Sequence, residues 1–141
     1  HYVNVDESRI KGAEVSIEAD LLHSLSVSAN LTYLETEDLT TGEDLENRPE
    51  TMTRVSLNWQ PFAFTQLRLR SEHNGKQYVG SGAFTPSYHL HHLDVSVEIN
   101  QAFTVYGGIE NIEDIRLANQ SDLYSTVEPG REFRLGVSAQ F

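Results

Sequence analysis

Cysteine is absent from this chain, so it has neither a disulfide framework nor a thiolate metal site, and its redox compartment stays open. Positive charge is scarce: 10 lysines and arginines face 21 aspartates and glutamates, a formal net charge of -11. Neutralising phosphates takes clustered Lys and Arg, so no nucleic-acid partner is expected. Long hydrophobic runs are missing too. No window approaches the roughly 18–20 apolar residues that a transmembrane helix needs, which excludes a helical membrane span. No leader sequence opens the chain either. His1-Tyr2-Val3-Asn4-Val5 is already strand-like, which predicts a chain that begins inside a larger protein.

With 38% hydrophobic residues among 141 and a mean hydropathy of -0.41, the composition suits an ordinary soluble domain. It also permits a membrane barrel, whose strands need only about 10 residues with half of them apolar. The pattern decides between the two. Phe133, Leu135, Val137, Ala139 and Phe141 alternate with Glu132, Arg134, Gly136, Ser138 and Gln140 up to the last residue. An aromatic ring beside a free carboxylate is a poor end for a buried strand, but it fits an interfacial girdle.

The same odd-numbered alternation recurs upstream. Ala13, Val15, Ile17, Ala19 and Leu21 lead through a tight turn at His23-Ser24 to Leu25, Val27, Ala29, Leu31 and Tyr33. Val55, Leu57 and Trp59 turn at Pro61 to Thr65 into Leu67 and Leu69, a strand running toward Tyr78. Leu93, Val95, Val97 and Ile99 turn at Asn100-Gln101-Ala102 into Phe103, Val105, Gly107 and Ile109. Between these hairpins lie long segments, Glu35 to Thr51, Val79 to Ser87 and Ile112 to Gly130.

Tight turns on one side and long loops on the other are the asymmetry of outer-membrane barrels, whose long loops lie outside the cell. Trp59, Phe62, Phe64, Phe103 and Phe141 would then share the periplasmic interface. The expected fold is all-β, an antiparallel meander of about seven long strands. A soluble β-sandwich binding module is the alternative. Against it stand strands longer than the usual five to six residues, and a second face, such as Ser26, Ser28, Asn30 and Thr32, too hydrophilic to interdigitate in a core.

Several runs carry a family resemblance. Asn4-Val5-Asp6-Glu7-Ser8-Arg9-Ile10-Lys11-Gly12-Ala13-Glu14, Asn30-Leu31-Thr32-Tyr33, Arg48-Pro49 through Leu57-Asn58-Trp59-Gln60-Pro61, and Gly75-Lys76-Gln77-Tyr78 stand in order. Gly107-Gly108-Ile109-Glu110-Asn111-Ile112 with Asp114, then Tyr124 and Glu128-Pro129-Gly130-Arg131, complete the set. Together they resemble the C-terminal barrel region of TonB-dependent outer-membrane receptors, most of all the catecholate siderophore and colicin receptors.

The resemblance implies that residues 1–141 are the C-terminal portion of a roughly 22-stranded transmembrane β-barrel with a plugged lumen, the plug and the other strands being absent. It further implies residence in the bacterial outer membrane and import of a ferric siderophore, a catecholate in the closest subgroup. The implied partners are TonB acting through the missing plug, outer-membrane lipid, the barrel assembly machinery and colicin-like toxins. Alone, an open sheet with two free edges and a lipid face should aggregate or pair rather than persist as a monomer.

Chemistry-bearing patterns are few. No nucleophile elbow, phosphate loop or metalloprotease helix occurs, so neither an enzyme nor a cofactor is expected. His89, His91 and His92 form a His-x-His-His run. His89 and His91 share a strand face at a spacing that zinc could use, but the sequence offers no third ligand, and no metal is expected. The Glu35 to Glu50 segment holds seven acids against Arg48, a solvated loop whose charge repels anions and suits divalent cations or cationic toxins. Arg54, Arg68, Arg70, Lys76 and Arg134, all at even, lumen-facing positions, are the candidates for attracting an anionic substrate or pairing with a plug. The competing expectation pairs them across strands with Glu72, Glu98 or Glu110.

Overall fold

Period-two patterning becomes one continuous antiparallel sheet in the computed structural model, which describes residues 7–124 and 129–140. The strands are β1 (Ser8–Leu22), β2 (Leu25–Asp38), β3 (Thr51–Phe62), β4 (Thr65–Asn74), β5 (Gln77–Tyr78), β6 (Phe84–Thr85), β7 (Tyr88–Glu98), β8 (Phe103–Glu110) and β9 (Glu132–Ala139). Seven of them form the sheet in the order β1-β2-β3-β4-β7-β8-β9, and β5 and β6 make a separate small hairpin. The expected opening strand at His1–Val5 and the terminal Phe141 lie outside the described residues.

Away from the turns, the register keeps odd opposite odd across the width; the exceptions are Leu22 opposite Leu25 and Phe62 opposite Thr65. One row runs Ala19, Val27, Leu57, Leu69, Leu93, Ile109, Phe133, each residue opposite the next. The row beside it on the other face runs Asp20, Ser26, Asn58, Arg68, Asp94, Gly108, Arg134. A one-residue slip at any pairing would mix the two sets, so the patterning itself enforces the register. No second sheet covers the apolar face: Leu135 is 84% exposed and Phe133 73%. The sandwich alternative fails on that point, because a sandwich buries such side chains against a second layer.

Two local features depart from simple alternation. Between Trp59 and Phe62 the register shifts, so the even-numbered Phe62 comes to lie opposite Thr65 and joins the odd, apolar face. Pro61 sits inside this irregularity, where its missing N–H costs no ladder bond. At Gly136 a side chain would collide with the Tyr106 ring, which lies across the glycine from the opposing position on β8. Close backbone approach is the reason for glycine there.

The buried apolar residues sit not between layers but under the long-loop end. Tyr78, Leu90, Leu117 and Tyr124 are the buried hydrophobic side chains among the described residues. The strand starting at Leu67 was expected to run toward Tyr78, yet β4 stops at Asn74. The main chain beyond is taken by the 39–50 loop instead: Asn47 N–H donates to the Tyr78 carbonyl, Glu50 N–H to that of Lys76, and Pro49 bridges Gln77. The Tyr78 hydroxyl donates to Glu43 at 2.6 Å, and Lys76 meets Glu50 at 3.0 Å. Tyr124 then ties the third loop to the second, donating to the Pro86 carbonyl and packing edge-on against Tyr88. The three long loops are therefore one interlocked layer.

Asn111 explains the motif that closes β8. Its φ of 53° lies in the left-handed region that Gly, Asn and Asp adopt most readily, and the residue, 3% exposed, has its amide fully used. The side chain donates to the carbonyls of Ile115 and Pro129 and accepts from Ile115 N–H. Asp114 then accepts from Arg131 N–H at 2.7 Å, closing the loop back onto the start of β9.

Candidate functional site

The even face of the sheet is concave and polar, with a hollow of about 750 Å³ whose lining includes Asp20, Asn58, Arg68, Arg70, Asp94 and Arg134. Alternation puts these side chains on one side, and the register sets Arg68, Asp94 and Arg134 in one row. The sequence expected five cations here, and the structure separates them into four kinds.

Arg70 and Arg134 are consumed by a closed charge cluster. Arg70 donates to Glu110 at 2.7 Å and to Asp94 at 3.3 Å, while Arg134 donates to Asp94 at 3.0 Å and also to Glu110. His92, 8% exposed, places Nδ1 against the same Glu110 carboxylate. Two guanidiniums against two carboxylates leave little net field to project. The cross-strand pairing expected with Glu110 is thus present, and Asp94 is a partner that sequence reasoning missed. Arg54 reaches Glu72 only at 3.9 Å, a loose and solvated pair. Among the described residues Glu98 makes no ion pair.

Arg68 differs. Its guanidinium donates to Asn58 Oδ1 at 2.8 Å, and among the described residues no carboxylate pairs with it, although Asp94 stands directly opposite in the register. Lys76 is not on a sheet strand at all. It lies in the second loop, held by Glu50 and placed over the Phe84 ring at 4.8 Å, because β4 ended before it.

Four apolar aromatic residues collect at the tight-turn end, while Phe84 and Phe133 lie toward the long loops. Trp59, Phe62, Phe64 and Phe103 are all partly exposed there, with Phe62 and Phe64 stacked at 5.7 Å. Aromatic residues grouped at one end of a sheet are compatible with a membrane interface. Phe141, assigned to the same belt, lies outside the described residues.

At the long-loop end two carboxylates anchor the third loop. Hydrogen bonding from Arg131 N–H, with Arg116 nearby, holds Asp114 below its ordinary range. Burial alone would raise Glu113, but hydrogen bonds from its own backbone N–H and from His91 outweigh it and lower the carboxyl. A carboxylate depressed in the folded state stabilises it above the ordinary carboxylate range and loses that contribution as the pH falls. Amide hydrogen exchange across 112–124 should therefore be protected at neutral pH and faster, after correction for intrinsic rates, below the ordinary carboxylate range. Equal protection at both would show that these anchors contribute nothing.

Among the described residues, no group of three or more His, Cys, Asp or Glu side chains is arranged to hold a metal ion. His91 is engaged by Glu113 at 2.6 Å and His92 by Glu110, so the His-x-His-His run splits between the two faces. His73, which sequence reasoning passed over, stacks on His89 across the β4–β7 pairing.

An iron-regulated outer membrane virulence protein of Vibrio cholerae is 27% identical to this protein over 99% of the chain and 22% of its own length. The ferrienterobactin receptor of Escherichia coli K12 is 26% identical over 98% of the chain, again 22% of its length. The chain thus spans about a fifth of the length of these curated relatives. Among solved structures, a variant of the ferric enterobactin receptor of Pseudomonas aeruginosa in complex with enterobactin superposes with a TM-score of 0.82 at 24% identity, covering 98% of this chain and 23% of that one. A copper transporter does so at 0.79 and 16%, over 95% of this chain and 24% of its own. These structural likenesses establish the fold, a wall segment of an outer-membrane barrel. The sequence profile described as "TonB dependent receptor-like, beta-barrel" matches residues 1–112, well over half of the chain. On that match, and with a sheet apolar outside and charged inside, this protein belongs to the TonB-dependent receptor β-barrel family.

Proposed function

We propose that this chain is the C-terminal wall of a TonB-dependent receptor that imports a ferric siderophore of the catecholate type, and that it transports rather than catalyses. The long-loop end then lies outside the cell and the aromatic girdle at the periplasmic interface. A plug from the missing part of the receptor fills the hollow, TonB pulls on that plug, and the barrel assembly machinery inserts the whole. Colicin-like toxins fit the acidic outer loops better than an anionic chelate does.

The observation that carries this reading is the lumen face itself, a polar concave wall in which Arg68 alone among the candidate arginines has no carboxylate partner among the described residues. An unneutralised guanidinium in a semi-enclosed hollow attracts an anion, whether a ferric catecholate or an acidic plug side chain. In a strain lacking its own ferric-catecholate receptors, the full-length receptor should restore uptake of labelled ferric enterobactin only when TonB is present. Arg68→Glu should lower uptake at limiting ligand by roughly 10-fold, equivalent to about 1.4 kcal/mol, with Arg68→Lys retaining most of it. Uptake independent of TonB would overturn the proposal, and an unaffected Arg68→Glu would remove Arg68 from it.

A further inference from the structure

We propose a second site, on the opposite face: His73 and His89 form a two-imidazole site for a divalent transition-metal ion that clamps the base of the 75–87 loop. His73 is the penultimate residue of β4 and His89 the second residue of β7. They are direct cross-strand partners, and apart from Asn74 and Tyr88 everything between them is the 75–87 loop with its β5–β6 hairpin. An ion bridging them closes that loop at its root.

Three observations point to a ligand. The rings stack with centroids 4.4 Å apart and planes 29° from parallel. Two imidazole nitrogens bound to one ion at about 2.0–2.1 Å lie about 3 Å from each other with the ion in both ring planes, so binding turns these stacked rings edge-on to a common point. Next, His73 Nδ1 is buried without a hydrogen-bond partner, an arrangement that costs free energy until something binds the nitrogen. Finally, His89 is exposed, which leaves an entry path for a hydrated ion.

Competing ligands are accounted for. His91 lies on the same face two residues from His89, but Glu113 holds its Nδ1 at 2.6 Å and also accepts from its backbone N–H. His92 points to the other face and into the charge cluster. With two protein ligands the remaining positions go to water, and imidazole pairs of this kind favour Cu(II) over Zn(II) by the usual order of affinities.

The test uses the full-length receptor, untagged and in detergent, titrated with Cu(II) alone. One Cu(II) per receptor should bind with electron paramagnetic resonance couplings to two nitrogens at this site. His73→Gln and His89→Gln should each weaken it by at least about 10-fold, since even an outer-shell partner is worth that much. His91→Gln should leave it intact, and each variant is first checked for heat-modifiable mobility as a folded barrel. Limited proteolysis supplies a second readout: Zn(II) should protect the 75–87 loop in the wild type and not in His73→Gln. Cu(II) binding that is identical in wild type and both variants, or lost in His91→Gln instead, overturns the site. Uptake of ferric enterobactin is a separate measurement, so failure here leaves the transport reading standing.

Discussion

Leu69→Arg and Leu93→Arg should each cost about 2–4 kcal/mol of folding into lipid, whereas Ser28→Arg and Ser96→Arg should cost about 0–1 kcal/mol. Leu69 and Leu93 are mid-strand, directly opposite each other, in the apolar row that crosses all seven strands. On a barrel that face meets hydrocarbon, where a guanidinium loses its water and finds no partner. Ser28 stands opposite Glu18, and Ser96 stands opposite Gln66 and Tyr106, all on the wet face. A new arginine there stays solvated and at Ser28 gains a carboxylate neighbour. Equilibrium folding of the full-length receptor into vesicles, followed by heat-modifiable mobility, measures both sets. Equal penalties on the two faces would mean that the alternation does not separate lipid from lumen.

That prediction rests on the part of the fold most legible in the sequence. Two faces of opposite character need only a period of two, and the turns at His23, Ala63 and Asn100 are short enough to force each hairpin's register. What could not be read is whatever depends on distant backbone. Lys76 was placed on a strand because alternation runs up to it; the structure ends β4 at Asn74 because Glu50 and Asn47 claim the main chain of Lys76 and Tyr78. Phe62 has the wrong parity for the outward girdle until the irregularity around Pro61 turns it over. His73 gained its meaning only from standing opposite His89, 16 positions away, and that pairing requires the length of the 75–87 loop to be known.

The candidate arginines show the same limit. Their parity could be read, so their common face was foreseeable, but which of them remains available depends on partners 24 and 40 positions away. Local sequence near Arg68 and Arg70 is nearly the same. Pairing alone does not distinguish them, since it sets Asp94 opposite Arg68; Arg70 takes Asp94 from the diagonal position and Glu110 from β8, one strand beyond β7.

Glu110 is the hub of that cluster, and its replacement is the second large effect expected. Glu110→Gln keeps the shape of the side chain but removes the charge that Arg70, Arg134 and His92 share. Arg70 is 29% exposed and loses one of its two carboxylates, while Arg134, 54% exposed, recovers most of its solvation from lumen water. The penalty should therefore come mainly through Arg70 and amount to about 1–3 kcal/mol, the range for a half-buried charged group left short of a partner. Glu132→Gln, directly opposite on β9 and in no ion pair among the described residues, should stay within about 0.5 kcal/mol. A double-mutant cycle between Glu110→Gln and Arg70→Gln should return a coupling of about 1 kcal/mol or more, and the cycle with Arg134→Gln a smaller one. Were the Arg134 cycle the larger, burial would not govern the cluster. Were neither coupled, Arg70 and Arg134 would be as free as Arg68, and the distinction drawn for Arg68 among the candidate arginines would fall with them.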